Sequence, residues 1–563
     1  MGKRKQQSFE YGAMILLVST ALSKIIGAIF KIPLKNLLGD VGFGSFSSAY
    51  ELFTPIYGLA MAGLPIAISR MVAERVAEGR YRDAHEVIRV AKKVFFITGA
   101  VGFLIMVAFS KSFVNTTDPS GGNIYSVLAI APSLIFCCIT SVYRGYYEGM
   151  RNMYPTAISD VIEALSKLLI GYTAAYIILR YTSNVHYAAA GAIMGVTLGT
   201  ALSAAFLFLR HKIKGDNITA EELAASPDPD KQKVILRALL VIAVPVVLTS
   251  LATNISNFVD VIMVKWQLGN LSKTSADVLR EMYAGSIADY NLNNPTQILT
   301  NEDIPNFLYG IRSSAFTIYN LIPTIASVLG VSALPLLASV WATDRNNKRE
   351  IKKSVESVIK LTAIIAVPAG IGMAALASPI MSLLYNGVAS VEIGGPMLAV
   401  FGITAIFAGL SAPMTSILQA IGKQLIPVRN IAIGAVIKIA VNFVLVGIPT
   451  INILGAPIGT LCSFAFIFIT NLISLIKYTK VMPNLFSTLL KPLISGIACG
   501  VVAYFVFNLS SGGALFTVVA IAAAGVTYLV ALFALRTFTA DDVLSLPKGE
   551  KLLKLFRKLH LVR

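Results

Sequence analysis

Fourteen stretches of this chain are apolar for long enough to cross the roughly 30 Å of hydrocarbon in a bilayer, and that constraint comes before any motif. They fall at about 11–34, 46–69, 94–115, 123–143, 156–179, 187–209, 238–262, 311–335, 361–384, 395–419, 430–449, 454–476, 489–508 and 512–535. Composition agrees: 56% of the residues are hydrophobic and 13% charged, against about 25% charged in a soluble domain. The expected fold class is an all-α polytopic membrane protein. No small-residue processing site follows the first apolar run, so it reads as a span and not as a cleaved signal.

A formal net charge of +18 would suit a nucleic-acid binder, but the positions of the charges exclude that reading. With the N-terminus on the cytoplasmic side, the cytoplasmic segments are 1–10, 70–93, 144–155, 210–237, 342–360, 420–429, 477–491 and 536–563, and they hold 36 of the 47 Lys and Arg residues. This is the positive-inside pattern read eight times, and it places both termini in the cytoplasm of a bacterial cell. The tail GEKLLKLFRKLHLVR, 549–563, has the spacing of a basic amphipathic helix lying on anionic phospholipids of the inner leaflet. The polar, Pro-containing stretch 215–233 reads as a linker between two halves. The external segment 263–310 carries scattered acids, Asp277, Glu281, Asp289, Glu302 and Asp303, without metal or nucleotide spacing, and reads as a cap or vestibule.

Two motifs recur in order at nearly one offset. IYGLAMAGLPIAISRMVAE at 56–74 aligns with IYNLIPTIASVLGVSALPLLASVWA at 318–342 through Leu64-Pro65 and Leu334-Pro335, and Pro155 aligns with Pro427 in the second pair. Six spans separate the copies, so both enter the membrane in the same sense. The expected organisation is two parallel six-helix lobes, 1–225 and 226–480, followed by two extra helices and the tail, 481–563. Parallel repeats of this kind are a transporter design with the substrate path between lobes.

Ionisable residues inside spans are expensive, roughly 2.5 to 3.5 kcal/mol each at mid-depth, and so point to function. Lys24 and Lys31 lie seven residues apart in LVSTALSKIIGAIFKIPL, two helical turns, and project from nearly one face with Gly27 between them. Facing water, the pair is a receptor for an anion; Lys31, close to the end of its span, also suits snorkelling. In the fifth span Glu163 and Lys167 have the spacing of a helical ion pair, leaving Asp160 available to Lys24. The second lobe offers Arg312, Asp260, Lys438 and Asn442; Asp260 and Asn442 suit a cation or proton relay as well as plain local hydrogen bonding. Arg70, after Ser69, is placed to meet a charged head first. The cargo expected from this set is an amphiphile with an anionic head.

Little else carries chemistry. Cys137, Cys138, Cys462 and Cys499 fall in apolar spans and read as small buried hydrophobes; the histidines form no metal or nucleophile constellation; and no G-x-x-x-x-G-K-[ST] loop is present. An enzyme is therefore not expected, no cofactor is called for, and the driving force is left to membrane potential or to Na+ or H+ coupling.

The stretches SKIIGAIFKIPL (23–34), GLPIAISRMVAE (63–74), YRGYYEGMRNMYPTAISDVIEA (143–164) and YNLIPTIASVLGVSALPLLA (319–338) resemble the lipid-linked polysaccharide flippases of the MOP exporter superfamily, in the branch of the lipid II flippase MurJ and the stage V sporulation protein B relatives. The resemblance implies a MATE-like pair of lobes, a central cationic cavity and outward movement of an undecaprenyl-pyrophosphate-linked glycan, with cell-wall or spore-cortex synthesis proteins as partners. Ser23-Lys24 matches the Ser-Arg of the first-span motif, whereas Phe30-Lys31 stands where that motif has Arg-Asp. Asp260 lies where some members bind Na+ from the seventh helix, and the segment 263–310 is longer than usual for this branch. Rival readings are a flippase for another polyprenyl-linked unit and a cation-coupled multidrug exporter of the MATE type. A membrane glycosyltransferase or ligase and an assembly scaffold are more distant ones.

Overall fold

The computed structural model describes residues 9–332, 347–509 and 513–535 apart from 63, 119, 217 and 296, together with Trp341 and Thr537. Every regular element among them is helical. They are α1 (Phe9–Ala62), α2 (Leu64–Ala77), α3 (Tyr81–Thr117), α4 (Asn123–Ile130), α5 (Ser133–Gly149), α6 (Tyr154–Ser166), a π-helical turn (Lys167–Gly171), α7 (Tyr172–Thr182), α8 (Val185–Lys214), α9 (Ala220–Ala225), α10 (Gln232–Thr274), α11 (Ala276–Met282), α12 (Ala284–Asn293), α13 (Ile304–Tyr319), α14 (Leu321–Ser332), α15 (Lys348–Ala375), α16 (Ala377–Leu384), α17 (Val388–Glu392), α18 (Gly394–Ala420), α19 (Leu425–Val446), α20 (Gly455–Thr479), α21 (Lys491–Asn508) and α22 (Ala514–Ala534). Eleven helices among the described residues are long and apolar enough to span a membrane. The expected count of fourteen is not confirmed. The first two expected spans fall on the two helices that make up α1 and meet at a non-helical Gly39 with φ of 67°, the second span running on into α2. The span expected at 311–335 is divided between α13 and α14.

The helices pack as two compact units. One takes in the described residues up to Ala276 together with Asn294–Ser313, and the other Asp277–Asn293 with everything described from Ser314 onward. These are units of packing, whereas the divisions at 225 and 480 are expectations from the pattern of sequence repeats.

In the first unit, glycines decide how close the helices come. Gly191, Gly195 and Gly199 repeat every fourth residue on α8, the small-residue spacing that lets membrane helices approach backbone to backbone. A Cβ on Gly195 would collide with Gly171 of the π turn, and one on Gly199 would lie 2.9 Å from the Glu163 carbonyl oxygen. The polar stretch of α6 is thereby pressed against α8. At the elbow of α1 a reciprocal lock forms: Gly44 faces the Asn306 carbonyl and Gly310 faces the Asp40 carbonyl, with no room for a methyl group at either position.

Loops gather at two ends of this unit. Residues 40–48, 118–123, 185–186 and 297–306 meet at one end, through contacts such as Ser45 Oγ with His186 Nδ1 (2.9 Å) and the Asn306 amide donating to Asp118 (2.7 Å). Residues 75–85, 146–147 and 215–230 meet at the other. The stretch 215–233, expected to be a plain linker, is a docked strap. It contains α9, started by a capping box of Thr219 with Glu222, and its backbone is held by Arg82, whose Nε donates to the Leu223 carbonyl at 2.9 Å. A Pro- and polar-rich composition describes a solvated linker and a strap bound by side chains equally well, so only the structure separates them.

In the second unit α18 packs on α14, α15 and α20, and α21 and α22 pack on each other, with α21 also on α15. One cluster of its core is Ile351, Val355, Met414, Leu418 and Leu475. The part in this unit of the segment expected to be external, 277–293, is helical and docked: Tyr283 donates to Asn452 (2.6 Å), Ser286 to Glu392 (2.7 Å), and the Val388 amide to Asp289 (2.9 Å). Three of the four cysteines are buried, but Cys462 is exposed. The basic tail 549–563 and Leu334-Pro335 lie outside the described residues.

The glycine lock gives a direct test. Gly310→Ala and Gly44→Ala should each lower the melting temperature of the purified protein by several degrees, since forced overpacking costs about 1–3 kcal/mol or more. Gly372→Ala, where a Cβ would meet nothing within 4 Å, should be neutral or slightly stabilising. Equal effects at all three positions would mean that the close approach is not maintained.

Candidate functional site

The first leg of α1 has three faces. Val18, Leu22, Ile25 and Ile29 are exposed and form an apolar stripe suited to lipid, while Ser19, Phe30 and Leu34 are buried. Lys24 and Lys31 come within about 20° of each other and roughly 140° from the middle of that stripe, at 3.6 residues per turn. Lys24 is exposed and Lys31 half-buried, and a Cβ on Gly27 between them would meet nothing within 4 Å. Open space on a face turned away from the lipid stripe is space for water or for a ligand. Neither lysine makes an ion pair among the described residues; Lys31 Nζ lies 5.2 Å from the centre of the Tyr50 ring. Ser23 beside them has a buried Oγ without a hydrogen-bond partner.

The acids expected near them are engaged elsewhere. Asp160 does not pair with Lys24: Arg144 from α5 reaches it at 2.7 Å and reaches Glu163 at 3.1 Å, while also donating to Ser159 (3.0 Å) and Ser203 (3.3 Å). Lys167 is bound to Glu163 at 2.6 Å, the i,i+4 pair expected from spacing. A guanidinium with its rigid fork satisfies two buried carboxylates at once, which a single ammonium on α1 could not do. α1 contributes only the Ser19 hydroxyl, 3.5 Å from Asp160.

A second neutralised cluster joins α1, α10 and α13. Arg312 is buried, with Nη1 3.4 Å from Glu51 and Nη2 3.3 Å from Asp260, and Tyr309 donates to Glu51 at 2.6 Å. One turn along α10, buried Lys265 donates to Ser48 (2.9 Å) and Asn306 (2.5 Å). Arg312, expected at the entrance of a span as a ligand for an anionic head, is thus enclosed and its charge is answered. Asp260 already has a guanidinium at its carboxylate, an arrangement that does not suit a sodium ion at the same oxygens. No group of three or more His, Cys, Asp and Glu side chains among the described residues is placed to hold a metal.

Arg70 on α2 is exposed and pairs with Glu74 at 2.8 Å, a surface pair that leaves its guanidinium accessible. Lys438 and Asn442 are buried one turn apart on α19 in the second unit, where Asn442 fills the space a side chain at Gly459 would need. No described contact joins Arg70 to Lys24 or Lys31, so the expected residues form several separate groups. The two lysines on α1 are the cationic pair among them without carboxylate partners.

Comparison with known proteins accounts for this architecture. The polysaccharide biosynthesis protein family matches residues 11–341, more than half of the chain. The chain belongs to the polysaccharide biosynthesis protein family. The family described as lipid II flippase MurJ matches residues 316–524. Stage V sporulation protein B of Bacillus subtilis (strain 168) is 23% identical over 96% of this chain and 98% of its own length. Lipid II flippase MurJ of the same organism is 24% identical over 92% and 94%. A solved structure of lipid II flippase MurJ in an inward closed conformation shares the fold, with a TM-score of 0.65 at 14% identity over 92% of this chain and 98% of that one. This polysaccharide biosynthesis family member is accordingly a multi-pass membrane protein, similar along nearly its whole length to stage V sporulation protein B and to lipid II flippase MurJ.

Within this family member, sequence reading missed Arg144, Glu51, Tyr309 and Lys265. Arg144 was assigned to a cytoplasmic loop because hydropathy falls after residue 143, yet α5 continues to Gly149. A charge count was the available signal: the fifth span holds two acids and one lysine, and the missing cation had to come from another helix.

The strap has its own electrostatics outside the spans. Burial pushes the Asp216 carboxyl up, but hydrogen bonds from His85 (2.6 Å), from Tyr146 and from the Ile218 amide (3.1 Å) outweigh it and hold the group well below the usual carboxylate range. Asp230 is lowered too, chiefly by its bond from Arg80 (2.7 Å) and also by Arg75 (2.8 Å). A depressed carboxyl contributes stability fully present above its unfolded pKa of about 3.9 and lost as pH falls below that value. A fluorophore on Ala225→Cys, in a Cys462→Ser background, should therefore report a bound strap at neutral pH and a loosened one below about pH 4. Asp216→Asn should loosen it already at neutral pH; an anisotropy unchanged by either would show the strap held by other contacts.

The Arg312 cluster makes a separate prediction. Asp260→Asn and Arg312→Met should each destabilise strongly, by about 3–5 kcal/mol, because each leaves a buried charge unanswered. The double variant should be less damaged than the sum, measured as a thermal-unfolding cycle; simple additivity would show the two groups to be uncoupled.

Proposed function

We propose that this chain moves an undecaprenyl-pyrophosphate-linked peptidoglycan precursor, lipid II, from the cytoplasmic to the external leaflet of a bacterial cytoplasmic membrane. The observation that carries the reading is the accessible, unpaired Lys24–Lys31 face of α1, in a unit whose buried Arg144, Arg312 and Lys35 and half-buried Lys167 all have carboxylates nearby. An anionic head is the ligand such a face lacks. The apolar exterior of the same helix leaves a lipid tail in hydrocarbon while the head is held. The name of the MurJ relative and its coverage of nearly the whole chain point to the same cargo class.

In this mechanism Arg70, with Ser69 before it, meets the pyrophosphate first, and Lys24 and Lys31 hold it beside Ser23 while the lobes rock between the two openings. An anionic cargo leaving a negative interior gains about 2.3 kcal/mol per charge per 100 mV, so the membrane potential can drive export and no step is assigned to sodium. Both termini face the cytoplasm, with the basic tail on anionic lipid, and the partners are enzymes of wall or spore-cortex synthesis.

The similarity to stage V sporulation protein B, as extensive as that to MurJ, favours one second reading: a flippase for another polyprenyl-linked glycan unit. A MATE-type exporter of organic cations would place its cargo against two unpaired ammonium groups, which argues against it.

Native mass spectrometry of the protein in nanodiscs, titrated with lipid II and with undecaprenyl phosphate, tests the proposal. Lipid II should bind preferentially, with affinity falling about tenfold or more in Lys24→Ala and somewhat less in Lys31→Ala, the scale of one lost charge-assisted contact. Equal binding by all three proteins would remove the lysines from the site. Preference for a different glycan unit would select the second reading.

A further inference from the structure

Two apolar hollows, of about 310 Å³ and 390 Å³, share Thr116 and Ile262 and so form one groove on the first unit. Its walls come from α1 (Leu52, Ile56), α3 (Phe109, Phe113) and α10 (Phe258, Ile262). Two of the three hydroxyls along it are engaged by their own helix: Ser110 donates to the Val107 carbonyl (2.7 Å) and Thr116 to that of Ser112 (2.9 Å). Apart from the Ser112 hydroxyl, the wall is hydrocarbon.

Dimensions identify the occupant. The groove follows α3 from Ile105 to Thr116, about 17 Å at 1.5 Å per residue, close to the roughly 15 Å that one leaflet contributes to the hydrocarbon core. It ends at Trp266, an exposed indole of the kind that settles at the membrane interface. A chain of eleven isoprene units is far longer than this; one fatty-acyl chain fits. We infer that the groove between α1, α3 and α10 is a binding site for one acyl chain of a phospholipid, in the leaflet where α3 and α10 end.

The site bears on the charged cluster behind it. Phe258 and Ile262 face the groove from the same helix on which Asp260 turns inward to Arg312, and Leu52 follows Glu51 on α1. A bound chain braces α10 against α1 and α3 and holds both carboxylates in register with the guanidinium. Loss of the chain should loosen that cluster before it disturbs the rest of the unit. The inference needs the protein to lie in a membrane but does not depend on its cargo.

A phospholipid carrying a diazirine near the end of one acyl chain, reconstituted with the full-length protein and photolysed, tests it directly. Cross-links should concentrate on 105–116 and 258–266 and fall at least fivefold in Ile262→Trp, which fills the groove, while Val526→Trp on an exposed face of α22 changes nothing. Phospholipid added to delipidated protein should raise the melting temperature of the wild type and of Val526→Trp but not of Ile262→Trp. Labelling spread evenly over all exposed span faces, or a wild type indifferent to added phospholipid, would overturn the site. Preferential displacement of the probe by undecaprenyl phosphate instead of phospholipid would overturn the assignment to an acyl chain. Should Ile262→Trp fail to fold, Phe109→Trp fills the same hollow from α3.

Discussion

A charge inside a membrane protein must be answered by an opposite charge, by water or by a ligand, and this requirement governs where the helices of the first unit can go. Arg144 answers two acids on a neighbouring helix, and Arg312 answers two acids on two others. Arg144 ties consecutive helices, and Arg312 ties segments distant in sequence. Moving any of these helices alone would expose a charge to hydrocarbon, so they are bound to move as a body. Rigid-body rocking requires units held together in this way.

Close backbone approach makes the ties geometrically feasible. The glycines of α8 bring the helix bearing Glu163 near enough for Ser203 of α8 to share Arg144, and the lock of Gly44 with Gly310 brings Asp40, Asn306 and Lys35 into the same small volume. Charge matching without the glycines would leave long, water-exposed ion pairs of little worth. Glycines without the charges would give close helices with no preferred register. The two devices specify the packing together, which explains why polar residues are dense near the small-residue contacts of this unit.

What could be read from sequence follows the range of each interaction. The Lys24–Lys31 face and the Glu163–Lys167 pair are set by helical spacing alone, and they appear in the structure on one face and in contact, respectively. The helical, many-span class was legible from hydropathy. Glu51, Asp260 and Arg312 are brought together by tertiary packing over as many as 261 residues of separation, and nothing local marks them as a cluster. The two helices that meet at Gly39 correspond to the first two expected spans, but hydropathy records apolar length and is blind to direction, so the turn between them was hidden. The strap was misread because the same Asp, Ser and Pro residues suit solvation and docking alike, and the Arg residues that decide between them lie some 140 positions away.

Unmatched charge then takes on a meaning it would lack in a protein that left many charges unpaired. Where Arg144, Lys167 and Arg312 are answered by carboxylates and buried Lys265 by Ser48 and Asn306, two lysines left open beside a glycine on a face turned from lipid stand out as cations in want of a partner. The pair sits on a leg of α1 that offers the Arg144 cluster the Ser19 hydroxyl, and the elbow of the same helix is held by the Gly44–Gly310 lock. A head group that bridged Lys24 and Lys31 would complete the electrostatics of that leg, as the carboxylates complete the rest of the unit. Binding energy would then be spent on ordering that leg of α1 against the rest of its own unit, which is the physical link between holding an anion and changing conformation.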